Sequence, residues 1–200
     1  MTATKQVQTE VEAERTRLSP VLQSKWSTRF IWAAIIQGIG AVIVTAPIVA
    51  PWVSPSVAMV IAGGSAGTWF TVGYLTYIMV GVIGVAVTAL FYYHFEVNQN
   101  RPYKGISNYL AGIHLVLMNV GVAVACFLMM YGGYFGGGAM LSTAVGGKGW
   151  TAEQAHVNIL SALVNPVGYA IAIAGIGILA GGLGFVYNSY RRPTPNLLTK

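Results

Sequence analysis

Long tracts without charge alternate along the chain with short segments that carry its charged residues. Asp, Glu, Lys and Arg are absent from residues 30–95, 105–147 and 154–190. A helix or strand of a soluble domain must present one polar face to water, whereas a helix that crosses a bilayer needs about 20 consecutive apolar residues. The charge-free tracts therefore predict helices that span a membrane.

Proline and glycine divide these tracts into four spans. Residues 30–95 are too long for a single span at a rise of about 1.5 Å per residue, and the segment from Pro47 to Gly67 is rich in both residues. Because proline removes a backbone donor and glycine weakens a helix, this segment predicts a turn. A glycine run, Gly136–Gly138, is predicted to end the third span. The four predicted spans cover residues of about 30–50, 69–95, 107–135 and 158–187.

The fourth helix has a start signal of its own. Thr151 can accept a hydrogen bond from the free N–H groups of a first turn, and Gln154 can reach back to the backbone of Thr151. This capping box predicts a helix that begins outside the bilayer and runs to about Tyr190. The Asn165–Pro166 pair inside it predicts a kink.

Composition assigns the spans to one integral membrane domain. Hydrophobic residues make up 55% of the 200 residues and charged residues 8%, with a mean hydropathy of +0.63, whereas globular domains are about 25% charged. The predicted fold is therefore all-α, an integral membrane four-helix bundle over residues 30–190. A polar segment (1–29) precedes the bundle, and a short tail (191–200) follows it.

The positions of the basic residues predict the orientation. Of the basic residues, only Lys148 lies in the connections that follow the first and the third predicted spans. Because cytoplasmic segments are enriched in Lys and Arg, both termini are predicted on the cytoplasmic side of the cell membrane. The same placement explains the net charge of +6 without a nucleic acid partner. The other basic residues are Lys5, Arg15, Arg17, Lys25, Arg29, Arg101, Lys104, Arg191, Arg192 and Lys200.

Small residues four positions apart predict close packing between the helices. Such pairs let two backbones approach in lipid, where van der Waals contact replaces the hydrophobic drive. The fourth span carries small residues in several registers, which predicts packing on more than one side, against its own bundle or another subunit. The helix-packing candidates are the pairs Gly121/Ala125, Gly132/Gly136 and Gly177/Gly181.

The spans contain no Asp or Glu, which argues against a proton relay and against a carboxylate-bridged metal site. Neither a catalytic residue nor a metal ligand set is predicted. Gln37 and Asn119 are expected to find partners on other helices, because an amide in lipid needs a hydrogen bond.

Two histidines are candidates for cofactor binding. His114 lies inside the third span, and His94 closes the second span at a similar depth. Paired imidazoles from two helices can hold a haem. The alternative is a neutral His114 that bonds a helix backbone or a polar side chain, with His94 in an interfacial aromatic cluster.

Two stretches resemble subunit I of the haem–copper oxidase and nitric oxide reductase superfamily. The first runs from WFTVGYL at Trp69–Leu75 to FYYHFE at Phe91–Glu96, and the second is YLAGIHLVLMNVGV at Tyr109–Val122. The catalytic subunit of that family has many more spans and six ligand histidines, including a neighbouring pair for copper. This chain has four predicted spans and three histidines. The resemblance therefore implies a degenerate or accessory relative rather than a complete catalytic core.

Three functions remain open at this point. The first is a non-catalytic accessory subunit of a respiratory or oxidative membrane complex, of the terminal oxidase or membrane monooxygenase type. Its partners would be other integral membrane subunits, in a hetero-oligomer, and lipid, and it would bind no cofactor itself. The second is a small electron carrier that holds haem at His94 and His114. The third is a small oligomeric transporter for a neutral solute, with Asn165–Pro166 lining the path.

Overall fold

The computed structural model describes residues 7–9, 24–50 and 52–191. Every regular element in these ranges is a helix, and four of the helices are long and apolar enough to cross a membrane. This confirms the all-α fold with four candidate spans. Most of the predicted N-terminal segment and tail lies outside the described residues. The four long helices are α1 (Lys25–Val49), α3 (Gly67–Asn98), α4 (Ile106–Met140) and α5 (Ala152–Ser189), and a short helix α2 (Val57–Ala62) lies between α1 and α3.

The glycine run Gly136–Gly138 does not end α4, which corrects the sequence prediction. The helix continues to Met140 and stops where Leu141 adopts an extended conformation. These glycines allow close packing between helices and do not form a turn. A side chain at Gly137 would collide with Gly67 of α3 and with Val60 of α2. Position 137 of α4 therefore has no room for a side chain between Gly67 and Val60.

The predicted start of the fourth helix is confirmed. Thr151 Oγ1 accepts a hydrogen bond from the Gln154 N–H at 3.2 Å, and the Thr151 N–H donates to Gln154 Oε1 at 2.9 Å. The helix then continues through Pro166 as far as Ser189. The helix α5 therefore begins at Ala152, before the first residue of the predicted fourth span.

Helices that follow one another in sequence pack side by side: α3 lies against α1 and α4, and α4 lies against α5. Backbone meets backbone at several glycines. A Cβ added to Gly121 would lie 2.5 Å from the Ala174 nitrogen of α5, and one added to Gly73 would lie 2.8 Å from the Cys126 carbonyl oxygen of α4. In contrast, α1 leaves large apolar side chains uncovered, such as Val42 at 70% exposure, as expected of a helix that faces lipid.

The glycines of α4 serve two neighbours. Gly132 faces leucine side chains of α5, and Gly136 lies between Leu160 of α5 and Ala66, which directly precedes α3. A side chain at Gly133 would collide with the backbone of Phe70 on α3. Of the other packing candidates, Gly177 lies against the backbone of α4 at Met118, and Gly181 and Ala125 are buried. The sequence pairs predicted close packing, but they did not predict which helix each glycine of α4 contacts.

One end of the bundle gathers the starts of α1 and α4 and the ends of α3 and α5. Side-chain hydrogen bonds join these four positions, for example from Asn188 Nδ2 to the Arg101 carbonyl oxygen at 2.8 Å. We call it the basic end because the described basic residues other than Lys148 lie there. They are Lys25, Arg29, Arg101, Lys104 and Arg191.

Candidate functional site

His114 is buried near the basic end and bonds a side chain of another helix. Its exposure is 4%, and its Nδ1 lies 3.1 Å from the hydroxyl oxygen of Tyr92 on α3. Tyr92 itself is fully enclosed. Of the alternatives drawn from the sequence, this geometry matches the histidine bonded to a polar side chain.

Aromatic rings from the other helices surround this pair. The centroid of the His114 ring lies 5.0 Å from that of Phe30 on α1 and 6.1 Å from that of Phe185 on α5. Each of the four long helices thus contributes one ring to what we call the histidine cluster: Phe30, Tyr92, His114 and Phe185. Gly181 of α5 lies directly against the imidazole, so that any side chain at this position would collide with it. The cluster therefore joins all four helices at one level.

His94 occupies a different environment. It is exposed, its Nε2 lies 2.7 Å from Gln99 Nε2, and its ring contacts Phe95 edge-on. No ring contact joins His94 to His114. The two imidazoles thus bond different side chains, Gln99 and Tyr92, and a haem held by both histidines stays a prediction. Across the described ranges, no group of three or more His, Cys, Asp or Glu residues is placed to hold a metal ion.

A second set of polar side chains lies deeper in the bundle, and we call it the polar chain: Tyr77, Gln37 and Asn119. The Tyr77 hydroxyl donates to Gln37 Oε1 at 2.6 Å, and Gln37 Nε2 donates to Asn119 Oδ1 at 3.2 Å. Asn119 Nδ2 in turn donates to the Leu115 carbonyl oxygen at 2.7 Å. The chain links α3 to α1 and α1 to α4.

The expectation that Gln37 and Asn119 find interhelical partners is confirmed, since they find each other. The bond from Tyr77 to Gln37 was not predicted, although the hydroxyl of a tyrosine far from both ends of a charge-free tract needs a partner. Gly40 admits that hydroxyl, because a Cβ at this position would lie 2.5 Å from it.

Glu96 at the end of α3 caps the start of α1. Its Oε2 accepts hydrogen bonds from the Ser24 hydroxyl at 2.5 Å and from the Trp26 N–H at 3.0 Å. A carboxylate is favoured at a helix N-terminus, where unpaired N–H groups and the helix dipole present positive charge. The contact fastens two helix ends that lie 70 residues apart in the chain. No sequence motif predicts this contact between Glu96 and the start of α1.

The connection between α3 and α4 is fastened to the end of α5. Arg191 donates to the Lys104 carbonyl oxygen at 3.2 Å, and the buried Tyr103 ring packs on Tyr92 at a centroid distance of 4.9 Å. Burial raises the pKa of Tyr103, and the neighbouring Tyr92 and Glu96 raise that pKa further. Tyr103 therefore remains a neutral part of this packing.

The Asn165–Pro166 pair lies on the outside of the bundle. Both residues are exposed on α5, so neither lines a path inside this chain. His156 is also exposed, near the start of the same helix. A solute path along Asn165 would require several copies of the chain.

The four long apolar helices indicate a multi-pass membrane protein, and the described internal polar groups mainly join one helix to another. Comparison with family models, with curated proteins and with solved structures finds no match to this chain.

Proposed function

We propose that the chain is a non-catalytic subunit of a larger membrane complex of the respiratory or oxidative kind, oriented with its basic end in the cytoplasm. The outer face of α5 carries this proposal. A Cβ added to Gly168, Gly175 or Gly182 would meet nothing within 4 Å. These glycines are seven residues apart, close to two helical turns, so they form one open stripe along the helix.

The open stripe contrasts with the inner side of the same helix. Gly177 and Gly181 are covered by α4, whereas the outer glycines leave backbone bare on the surface that would face lipid. Bare backbone is the surface that a further transmembrane helix packs against most closely.

An unpartnered amide lies beside this stripe. Asn165 is exposed within the fourth predicted span, and its side chain has no hydrogen-bond partner among the described residues. A polar group that faces hydrocarbon without a partner is costly, and side-chain amides commonly bond across helices in membranes. A partner helix on α5 would satisfy Asn165 and cover the glycines together.

The internal sites support a role without catalysis. His114 is enclosed by rings, and Gln37 and Asn119 bond one another. The similarity of Trp69–Leu75 and Tyr109–Val122 to oxidase spans supports a host complex of the oxidative kind. The positive-inside rule supports the cytoplasmic placement of the basic end.

Gentle extraction from the native membrane tests this proposal. The tagged wild-type chain is expected to co-purify with larger integral subunits, and haem absorbance, if present, should belong to those subunits. Gly175→Leu should abolish co-purification, because the added side chain blocks the stripe. Gly38→Leu is the matched control, since Gly38 is an equally open glycine on α1.

Two results would contradict the proposal. One is a wild-type chain that runs as a monomer after mild extraction. The other is a Gly175→Leu chain that retains the same partners as the wild type. Asn165→Leu should weaken the association as well, with Asn158→Leu as its control, because Asn158 bonds the Gln154 carbonyl oxygen of its own helix.

A further inference from the structure

An open groove with the basic residue Arg29 at its head runs between α1 and α4. Its volume is about 660 Å³, and apolar side chains form nearly all of its wall. We call it the arginine groove. Its lining includes Arg29, Trp32, Gln37, Asn119 and Ala123. From Arg29 to Gln37 the wall extends about 12 Å along α1, at 1.5 Å per residue.

Arg29 is held at the head of this groove by an aromatic ring. Its guanidinium carbon lies 4.6 Å from the centroid of the Trp26 ring. Trp26 is buried, and its Nε1 donates to Asn108 Oδ1 at 3.1 Å. The ring is therefore fixed between α1 and α4, and it sets the position of the cation above it.

The cations at this head lack a carboxylate partner. Arg29 forms neither an ion pair nor a hydrogen bond within the part of the chain that the structure describes. Lys25, whose Nζ lies 5.5 Å from the Trp26 ring centroid, bonds only the neutral amide of Asn108. The nearby Glu96 carboxylate is already bonded to Ser24 and Trp26. An anion is the chemical complement that this end of the groove lacks.

We propose that the arginine groove binds one anionic phospholipid, with its phosphate on Arg29 and Lys25 and one acyl chain along the wall between α1 and α4. The planar guanidinium of arginine suits the paired oxygens of a phosphate. The groove opens on the surface that would face lipid, so the acyl chain enters sideways from the bilayer. The site is formed by α1 and α4 and does not depend on the proposed partner surface of α5.

A second groove in the same molecule provides an internal comparison. It lies between α1 and α3, and its wall includes Ile31, Ala86 and Tyr93 but no basic residue. Acyl chains that rest there have no cation to select their headgroup. Of these two grooves, the preference for negative charge is therefore assigned to the arginine groove.

Native mass spectrometry of the full chain tests the proposal. The probes are phosphatidylglycerol and phosphatidylcholine with identical acyl chains, added in equal amounts, and inorganic phosphate is added in a separate sample. The wild type should retain one phosphatidylglycerol in preference to phosphatidylcholine. Arg29→Gln should reduce this preference about five-fold, as expected for the loss of one basic residue near a membrane surface. Lys104→Gln is the charge-matched control, because Lys104 lies at the basic end but neither lines the groove nor contacts the Trp26 ring that holds Arg29 and Lys25.

Filling the groove separates acyl-chain binding from headgroup binding. Ala123→Phe should displace the retained lipid, whereas Ala86→Phe in the other groove should leave it bound. Both variants are checked for helix content before lipid is added. The proposal is overturned if the wild type shows no headgroup preference, if Arg29→Gln keeps that preference, or if the two phenylalanine variants behave alike. Displacement of the lipid by an equal concentration of inorganic phosphate would also overturn it, since the phosphate alone would then be the ligand.

Discussion

The imidazole of His114 and the amide of Gln37 lie inside spans that offer them no water, and each is held by a tyrosine from α3. Tyr92 bonds His114, and Tyr77 bonds Gln37. A tyrosine suits this task because its ring fills apolar space while its hydroxyl reaches a polar partner. α3 thus supplies the hydroxyl groups that bond these two polar side chains of α1 and α4.

Removal of one such hydroxyl should be measurable. Tyr92→Phe keeps the ring but leaves His114 Nδ1 buried without a partner, so the free energy of unfolding should fall by about 1–3 kcal/mol. The measurement is unfolding in mixed detergent micelles, followed by circular dichroism. The control is Tyr93→Phe on the adjacent, less buried residue. Equal stability of the two variants would show that the Tyr92–His114 bond contributes nothing.

The starts of α1 and α5 are capped in two different ways, one by a distant part of the chain and one locally. The N-terminus of α1 is capped by Glu96 of α3, whereas α5 is capped by its own Thr151 and Gln154. The local cap was predictable from spacing, because a capping box lies within one turn. The distant cap was not, because the position of Glu96 relative to Ser24 depends on how α3 packs against α1.

Neutralising the distant cap should loosen the start of α1. In Glu96→Gln the charge that complements the helix N-terminus is lost, a change of about 1 kcal/mol. Amide hydrogen exchange at Trp26 and Ser27 should therefore accelerate about five-fold. Glu153→Gln is the control, since Glu153 lies in the first turn of α5. Unchanged exchange at Trp26 would contradict the capping role.

The same distinction explains which parts of the site could be read from the sequence. Gln37 and Asn119 were expected to seek partners because an amide in lipid must be bonded, but the choice of Tyr77 depends on the rotation of α3. His94 and His114 were expected to be close because a short connection joins their helices. The rotation of α3 directs Tyr92, and not His94, toward His114. The depth of a residue along its helix was predictable from the sequence, whereas the direction in which its side chain leaves the helix axis was not.

The two ends of the bundle differ in charge. Five described basic residues lie at the basic end, and Lys148 lies at the other. Lys148 rests over the Trp150 ring at 4.5 Å from its centroid, within a connection held by backbone hydrogen bonds such as that from the Trp150 N–H to the Ala139 carbonyl oxygen. The two ends therefore present different chemistry to the two sides of a bilayer.

The predicted orientation can be tested with a maleimide that does not cross membranes. Lys148→Cys should be labelled in intact cells, whereas Lys104→Cys should be labelled only after lysis, because the basic end is predicted to be cytoplasmic. The unsubstituted chain measures the contribution of Cys126, which is buried. The opposite labelling pattern would reverse the orientation, and equal labelling would contradict a single topology.

The polar chain also has a consequence for biosynthesis. Gln37 leaves the ribosome before its partner Asn119, which follows 82 residues later, when α3 has already been made. Until then the Gln37 amide in α1 lacks its final bond, and α1 by itself is mostly apolar surface. We therefore expect α1 to stay without its final hydrogen bond, in the membrane or in the insertion machinery, until α4 has been synthesised. A nascent chain that is halted before α4 should remain associated with that machinery, and the complete bundle should leave it.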